Sequence, residues 1–252
     1  MSGSYNAFAE VYDAWQRVHG PTYSDLIAPD VDERLHRRIG DPNLLIDLAC
    51  GTGTHAIRLA RTRVRVIGID RSEAMLRQAR AKACEAGVPV DFVCADMRAF
   101  DVERPADAVT CLYASMNHLA AALDLESVFG CACAHLRPGG VLVFDVNTRA
   151  GFEALWRAPA TDRGPGLVVN RTYEVEDEIW TAMHLAIEYE RDGTVHRAAE
   201  TLRARWFADD EIGGALDAAG LDTIEVAALN PFPEVDAEGI KQLWTASRPG
   251  AS

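Results

Sequence analysis

Residues 44–56, Leu-Leu-Ile-Asp-Leu-Ala-Cys-Gly-Thr-Gly-Thr-His-Ala, decide how this chain is read. An apolar run ends near an acid, a turn of small residues follows, and an amphipathic stretch begins. The pattern predicts a buried strand ending near Asp47, a tight turn through Gly51 and Gly53, and a helix opening near Thr54. Glycine leaves the main chain open to close approach by a ligand. The unpaired amides at a helix start favour electron-rich groups. Two ligand classes use such a turn. Gly51 to Ala56 fits the relaxed dinucleotide pattern G-x-G-x-x-A. Asp70 stands nineteen positions after Gly51, at the end of the next apolar run (64–70), where an acid grips a ribose. Two further acids shift the reading away from a dehydrogenase. Asp47 precedes the glycines where a dehydrogenase has apolar residues, and Asp96 ends a third apolar run at 90–96.

Outward from this turn, strand-like runs at 44–48, 64–69, 90–94, 107–112 and 140–145 alternate with helical stretches at 54–62, 72–86 and 123–136. Such alternation implies a parallel sheet covered by helices on both faces. Pro138-Gly139-Gly140 marks the turn into the fifth strand. Residues 4–39 read as helical and rich in aromatics (Tyr5, Phe8, Tyr12, Trp15, Tyr23), with a break at Gly20-Pro21. After Asn147 the pattern turns to three β-rich runs at 166–175, 178–189 and 194–207, with a hairpin signal at Asp192-Gly193. A helix from Asp209 to Gly220 and runs at 222–229 and 241–247 complete a seven-stranded sheet. The expected organisation is a helical cap over the active site (1–40), a cofactor-binding core (41–148), an antiparallel β insertion acting as platform or lid (149–207), and a last helix and strands (208–252), all in one compact domain.

Composition narrows the function. A chain of 252 residues is long enough for one α/β domain with a sizeable core. A formal charge of −13 disfavours nucleic acid as a partner, because phosphate contacts need clustered Lys and Arg. No apolar run is long enough to span a bilayer, and the N-terminus lacks a basic n-region and an apolar h-region, so the expected location is the cytoplasm. Six cysteines at 50, 84, 94, 111, 131 and 133 form no C-x-x-C pair, so no metal site is expected, and buried reduced thiols are.

Five segments taken together carry a resemblance: Asp47-Leu-Ala-Cys-Gly-Thr-Gly53, Gly68-Ile-Asp70-Arg-Ser-Glu-Ala-Met-Leu76, Ala95-Asp96-Met97, Asp107-Ala-Val-Thr-Cys-Leu112 and Leu136-Arg-Pro-Gly-Gly140. In order and spacing they resemble the motifs of class I S-adenosylmethionine-dependent methyltransferases, over roughly residues 44–146. Ala49 stands where many members carry glycine, though alanine is also common there. The resemblance implies a Rossmann-like seven-stranded α/β sheet with S-adenosyl-L-methionine along its carboxyl edge. It places Asp47, Ala49, Gly51, Gly53, His55, Asp70, Arg71, Met75, Asp96, Met97 and Leu112 against the cofactor. Asp70 is then expected on the ribose hydroxyls and Asp96 at the adenine amino group; as bland alternatives, each acid caps a helix and Met75 and Met97 are plain core.

Methyl transfer from a sulfonium needs donor and nucleophile held aligned and dry, and positioning of this kind supplies roughly 7–11 kcal/mol at best. A protonated amine, with a pKa near that of lysine (about 10.4), has no lone pair to offer at neutral pH, so a base of intermediate pKa near the sulfur helps. The exit of the fourth strand reads Leu112-Tyr-Ala-Ser-Met-Asn-His118, and ligands of open α/β sheets bind beyond the carboxyl ends of strands. His118 is therefore read as a base or acceptor-orienting residue, or else as a loop hydrogen bonder. The stretch 109–119, the glycine turn and Glu10-Val-Tyr-Asp13 are similar to bacterial deoxyamino-sugar N,N-dimethyltransferases, and this likeness carries active-site roles onto Tyr12 and His118. The likeness weakens at Phe144-Asp145-Val-Asn-Thr148, where those enzymes have a Glu-Pro-Trp-Trp segment. Met116, Asn117, Asp145 and Asn147 are expected on the substrate side. The aromatics Trp156, Tyr173, Trp180 and Trp206, with His184, read as core or surface of the insertion.

The expected activity is methyl transfer to an amine of a small metabolite, with a hydroxyl or carbon acceptor as the alternative, by a monomer or homodimer without nucleic-acid or membrane partners. An NAD-dependent oxidoreductase would need a catalytic Tyr/Lys or similar constellation, and the chain has only Lys82 and Lys241. A catalytically silent cofactor-binding module is the third reading.

Overall fold

The computed structural model describes residue 5, residues 7–232 and residues 235–250, and all structural statements refer to these. Short helix α1 (Tyr12–Gln16) and helix α2 (Tyr23–Ile39) precede β1 (Leu44–Leu48), α3 (Thr54–Ala60), β2 (Arg65–Asp70), α4 (Glu73–Ala86), β3 (Asp91–Cys94) and β4 (Ala106–Cys111). A single 3-10 turn (Ser115–His118) leads to α5 (Ala122–His135), β5 (Leu136–Asn147) and α6 (Arg149–Leu155). Strands β6 (Ala160–Gly164), β7 (Leu167–Val175), β8 (Trp180–Arg191) and β9 (Thr194–Arg205) follow, then α7 (Asp209–Ala218), β10 (Asp222–Leu229) and β11 (Lys241–Ser247).

Seven strands form the main sheet in the order β10-β11-β5-β4-β1-β2-β3. All neighbours are parallel except β11, which runs antiparallel to both β5 and β10. The alternation in β1 shows why the sheet is covered twice. Leu44, Ile46 and Leu48 pack on one face with Leu125 and Phe129 of α5 and Ile212 and Leu216 of α7. Leu45 packs on the other face with Ile27 and Val31 of α2 and Ala56 and Leu59 of α3. Successive side chains of a strand point to opposite faces, so a strand apolar on both faces reads as one unbroken run. Each such side chain contributes roughly 1.5–3 kcal/mol on burial. The helices between strands start where the sequence supplies a cap: the Ser72 hydroxyl accepts from the Met75 amide, and Gly87 closes α4 with φ 67°.

The four-stranded antiparallel sheet, in the order β6-β7-β8-β9, holds its hairpin at Asp192-Gly193, both with positive φ. Three of its strands match the expected β-rich runs; β6 and the helix α6 before it are additional elements. Strand β6 reads Ala-Thr-Asp-Arg-Gly, without apolar alternation. Its place is set by Asp162, which is 2% exposed and accepts from Trp15 Nε1 at 2.6 Å, from His19 Nε2 at 2.9 Å and from Arg171. The cap also differs from expectation. Only Tyr12–Gln16 is helical before the Gly20-Pro21 break, and residues 7–11 are turns. Phe8 and Val11 bury against Leu167, Val169, Met183 and Leu185 of the second sheet, so tertiary packing overrides the helical pattern. Residues 1–4 and 6 of the expected cap lie outside the described residues. Among the described residues, no helix is long and apolar enough to cross a membrane.

Candidate active site

A cavity of about 270 Å³ opens at the carboxyl ends of β1, β2 and β4, under the cap residues Tyr5, Tyr12 and Tyr23. Of the residues expected to meet the cofactor, Asp47, Ala49, Gly51, His55, Asp70, Arg71, Met75, Asp96, Met97 and Leu112 line it, as do Tyr12 and His118.

The glycine turn is built by backbone hydrogen bonds. Cys50 N donates to Ile69 O at 3.0 Å and Gly53 N to Cys50 O at 2.9 Å. Gly51 has φ 55°, lines the cavity, and has no protein atom within 4 Å of where a Cβ would sit. Gly53 stands apart from the cavity lining. It does not line the cavity; a Cβ there would meet Phe92 Cζ at 2.8 Å and Ala79 Cβ at 3.0 Å. The missing side chain lets α3 start close beside α4 and β3, with Gly53 at φ 73°.

The acids differ in what holds them. Asp70 accepts from Gly51 N at 2.9 Å and from Ser72 N at 2.8 Å, so the turn and its carboxylate form one unit. Burial pushes its pKa up against these amides. Asp47, 2% exposed, accepts from the Thr110 hydroxyl at 2.8 Å, and burial raises its pKa to about 7. Asp96 is held by the Arg98 side chain at 2.7 and 3.0 Å, and Arg98 also reaches Asp124 at 2.7 Å. Arg98 lowers the pKa of Asp96 through those hydrogen bonds. His55 is 6% exposed; its Nδ1 lies 3.5 Å from Ser24 Oγ and its buried Nε2 has no partner. Burial, and secondarily Arg58, lowers its pKa to about 3, so the ring is neutral.

At the exit of β4, Tyr113 and Ala114 adopt left-handed backbone angles, φ 65° and 55°. Such angles cost non-glycine residues roughly 1–2 kcal/mol each. The Asp145 carboxylate holds the bend by accepting from Tyr113 N at 2.5 Å and Ala114 N at 3.0 Å. Lys241 Nζ pairs with Asp145 at 3.0 Å, donates to Asn147 Oδ1 at 2.7 Å and lies 4.9 Å from the ring centre of Tyr23. Tyr23 stacks on Tyr113 at 4.4 Å, and both rings wall the cavity. Asn117 accepts from Asn147 N at 2.8 Å and donates to Arg205 O at 2.7 Å. Met116 is fully buried in the main core.

These contacts set the residues expected on the substrate side behind the cavity wall. Met116, Asn117, Asp145 and Asn147 do not line the cavity. Asp145 ends a strand buried on both faces, where a charge persists only with partners, and it supports the bend from behind. The chain's two lysines, notable in the sequence only for their scarcity, both hold parts of the site in place. Lys241 braces the β4 exit, and Lys82 contacts Asp13 of the cap at 2.5 Å and the hydroxyls of Thr52 and Thr54 at 3.1 and 2.9 Å. Thr52 Oγ1 also donates to Asp13 at 2.6 Å, tying the cap to the glycine turn.

His118 stands at the end of this bend, half-buried. Its Nδ1 lies 2.7 Å from Arg203 O of β9. A carbonyl oxygen only accepts, so Nδ1 carries the proton and Nε2 keeps the lone pair. Tyr5 donates its hydroxyl to that Nε2 at 2.9 Å. Burial lowers the His118 pKa, so the ring is neutral near pH 7. Tyr5 reads in the sequence as one cap aromatic among several; its pairing with His118 spans 113 positions and leaves no local signal.

Comparison with known proteins identifies the family. A family described as "Methyltransferase domain" matches residues 45–140. The dTDP-3-amino-3,6-dideoxy-alpha-D-glucopyranose N,N-dimethyltransferase of Streptomyces fradiae is 31% identical over 218 residues, covering 84% of this chain and 83% of that one. The chain is an S-adenosylmethionine-dependent methyltransferase. This methyltransferase is also similar to the dTDP-4-amino-2,3,4,6-tetradeoxy-D-glucose N,N-dimethyltransferase of Saccharopolyspora spinosa, 33% identical over 137 residues. That match covers 54% of this chain and about half (53%) of the relative. Among solved structures, CalS10, an amino pentose methyltransferase from Micromonospora echinaspora with SAM bound, superposes with a TM-score of 0.70 at 27% identity, over 94% of this chain and 96% of that one.

The residues of this methyltransferase fit its methyl donor, S-adenosylmethionine. The unpartnered, buried His55 Nε2 sits at a part of the cavity also lined by Ser24 and Thr54, a polar end suited to the charged amino-acid group. The amide-fixed Asp70 keeps lone pairs for hydroxyl donors. Met97, Leu119 and Ala95 give an apolar wall for a flat base.

Proposed function

We propose that this enzyme methylates the amino group of a small metabolite, with amino sugars as the acceptor class and His118 as the base. One observation carries the reading: the tautomer of His118, fixed by the Arg203 carbonyl, leaves Nε2 as a lone pair at the cavity wall. The amino-sugar class rests on the printed activities of the relatives from Streptomyces fradiae and Saccharopolyspora spinosa.

S-adenosylmethionine, when bound, supplies an electrophilic methyl group on a sulfur that departs neutral. Asp70 would hold the ribose hydroxyls, and Asp96, tied to Arg98, would border the adenine. His55 with Ser24 would hold the amino-acid end, and the Gly51 backbone lies close to it without a Cβ in the way. Tyr12, Tyr23 and Tyr113 enclose the acceptor space and exclude water, while His118 takes the proton that the acceptor nitrogen must lose. Removing a general base costs about 10²- to 10⁴-fold in rate. His118→Ala is therefore expected to lower kcat on dTDP-3-amino-3,6-dideoxy-α-D-glucopyranose by about that factor while leaving cofactor affinity unchanged by calorimetry. Full activity in His118→Ala, with a wild-type kcat constant from about pH 5.5 to 8.5, removes the base assignment. No turnover of any amine in a panel of amino sugars, amino acids and small amines with labelled cofactor removes the acceptor class.

A further inference from the structure

The lone pair of His118 is already engaged: Nε2 accepts the Tyr5 hydroxyl at 2.9 Å, with the two rings edge-on, centroids 5.6 Å apart. A proton leaving the acceptor reaches Nε2 only through that hydroxyl, unless Tyr5 is displaced. Tyr5 itself lines the cavity, next to Tyr12 at 6.1 Å and Phe8 at 6.3 Å between ring centroids. We infer that Tyr5 is a catalytic residue of this enzyme: its hydroxyl meets the acceptor nitrogen and passes the proton on to His118. The inference rests on the proposed base role of His118.

The transfer balances in one exchange. The acceptor nitrogen gives one proton to Tyr5 Oη while Tyr5 gives its own hydroxyl proton to His118 Nε2. Tyr5 ends as a neutral phenol, and His118 ends as an imidazolium whose Nδ1 proton still rests on the Arg203 carbonyl. The acceptor starts as an ammonium, and the electron pair of its broken N–H bond becomes the lone pair with which the nitrogen attacks the methyl group. Burial pushes the Tyr5 phenol well above its ordinary value, which suits a relay that is never left as a phenolate. A hydroxyl can donate one hydrogen bond and accept up to two, so Tyr5 Oη has an acceptor site left for the incoming N–H while it donates to His118.

Fixation of the pair comes from outside the core. The Phe8 amide donates to Glu200 of β9 at 3.0 Å, three residues before the Arg203 carbonyl that holds His118, and Phe8 is buried against the second sheet. The hydroxyl and the imidazole are thus set by one strand, and the relay is complete only while the cap is seated on β9.

The test is Tyr5→Phe, which keeps the ring and removes the hydroxyl. In protein labelled with ¹⁵N-histidine, which needs no acceptor, wild-type His118 is expected as the neutral Nδ1–H tautomer with a hydrogen-bonded Nε2. Tyr5→Phe is expected to move the Nε2 resonance toward that of a free imidazole lone pair and to leave Nδ1 unchanged. Unchanged resonances in Tyr5→Phe overturn the pairing. With the amino sugar nucleotide as acceptor, kcat is expected to fall about 10²-fold, and the Tyr5→Phe/His118→Ala double variant to be no slower than His118→Ala alone. Full activity in Tyr5→Phe together with a strong loss in His118→Ala overturns the relay and keeps His118 as a direct base. Full activity in both variants overturns the base role on which the relay rests.

Discussion

Replacing Lys241 with methionine tests whether the active-site bend is held from behind. Lys241 is 2% exposed and Asp145 is fully buried, so the pair has no solvent to fall back on. Lys241→Met keeps the stem and removes the ammonium that contacts Asp145 at 3.0 Å and Asn147 at 2.7 Å. Breaking a buried ion pair by deleting one partner costs about 3–5 kcal/mol, because the other charge stays buried. Asp145→Leu strands Lys241 and also leaves the Tyr113 and Ala114 amides without their acceptor. Each such amide adds about 1–3 kcal/mol, so Asp145→Leu is the more damaging single change. The double variant leaves no unpaired charge and is expected to cost at least about 2 kcal/mol less than the sum of the singles. Urea unfolding at fixed m-value measures all three. Lys241→Met is also expected to slow turnover more than it weakens cofactor binding, since the loosened bend carries Tyr113 and leads to His118. A Lys241→Met variant within about 0.5 kcal/mol of wild type, or single costs that simply add, refutes the brace.

Three other outcomes follow from the site. Gly51→Ala and Gly53→Ala both carry the left-handed penalty of roughly 1–2 kcal/mol; Gly53→Ala adds an overpacking cost of about 1–3 kcal/mol against Phe92 and Ala79, so thermal melts should rank Gly53→Ala lower, while calorimetry should show Gly51→Ala as the variant with weakened cofactor affinity. Asp70→Ala, which removes buried acceptors from ligand and turn together, should weaken cofactor affinity about tenfold or more, and unchanged affinity in calorimetry speaks against the ribose placement. The pH dependence of stability pits two groups against each other. Asp47, raised from 3.8 to about 7, stabilises the fold fully below pH 3.8, an effect lost as pH rises toward 7. His55, lowered from 6.5 to about 3, makes a contribution that is present above 6.5 and lost as pH falls toward 3. Between about pH 4 and 6.5 the two slopes oppose, so Asp47→Asn should make stability rise with pH more steeply than wild type across that window, and His55→Gln should tilt it the other way; parallel urea titrations at pH 4.5 and 6.5 that show no change in slope contradict the burial of both groups.

How far the sequence could be read follows from the range of the interactions. The glycine turn, Asp70 and the ends of the parallel strands are local: alternation, a small-residue turn and an acid lie within a few dozen residues, and the structure keeps them together. The brace is not local, since Lys241 and Asp145 are 96 positions apart and neither type of residue advertises a buried partner. Asp145 and Asn147 read as facing the acceptor because they lie at the end of a strand at the binding edge. The strand's final pleat turns them instead into the interior, where Asn117 and Lys241 satisfy them. Strand β6 escaped notice because Asp162, a residue that argues against a strand, is what secures it, through Trp15, His19 and Arg171.

The carbonyl of Arg203 belongs to the antiparallel sheet, whereas the imidazole it steers belongs to the cofactor-binding core. Through that carbonyl the antiparallel sheet therefore decides which nitrogen of the imidazole keeps the lone pair. A foreign insertion grafted onto this core would keep that tautomer only if it presented a carbonyl within hydrogen-bonding reach of His118 Nδ1; a graft that presented a donor there would flip the ring and leave a proton, not a lone pair, on Nε2.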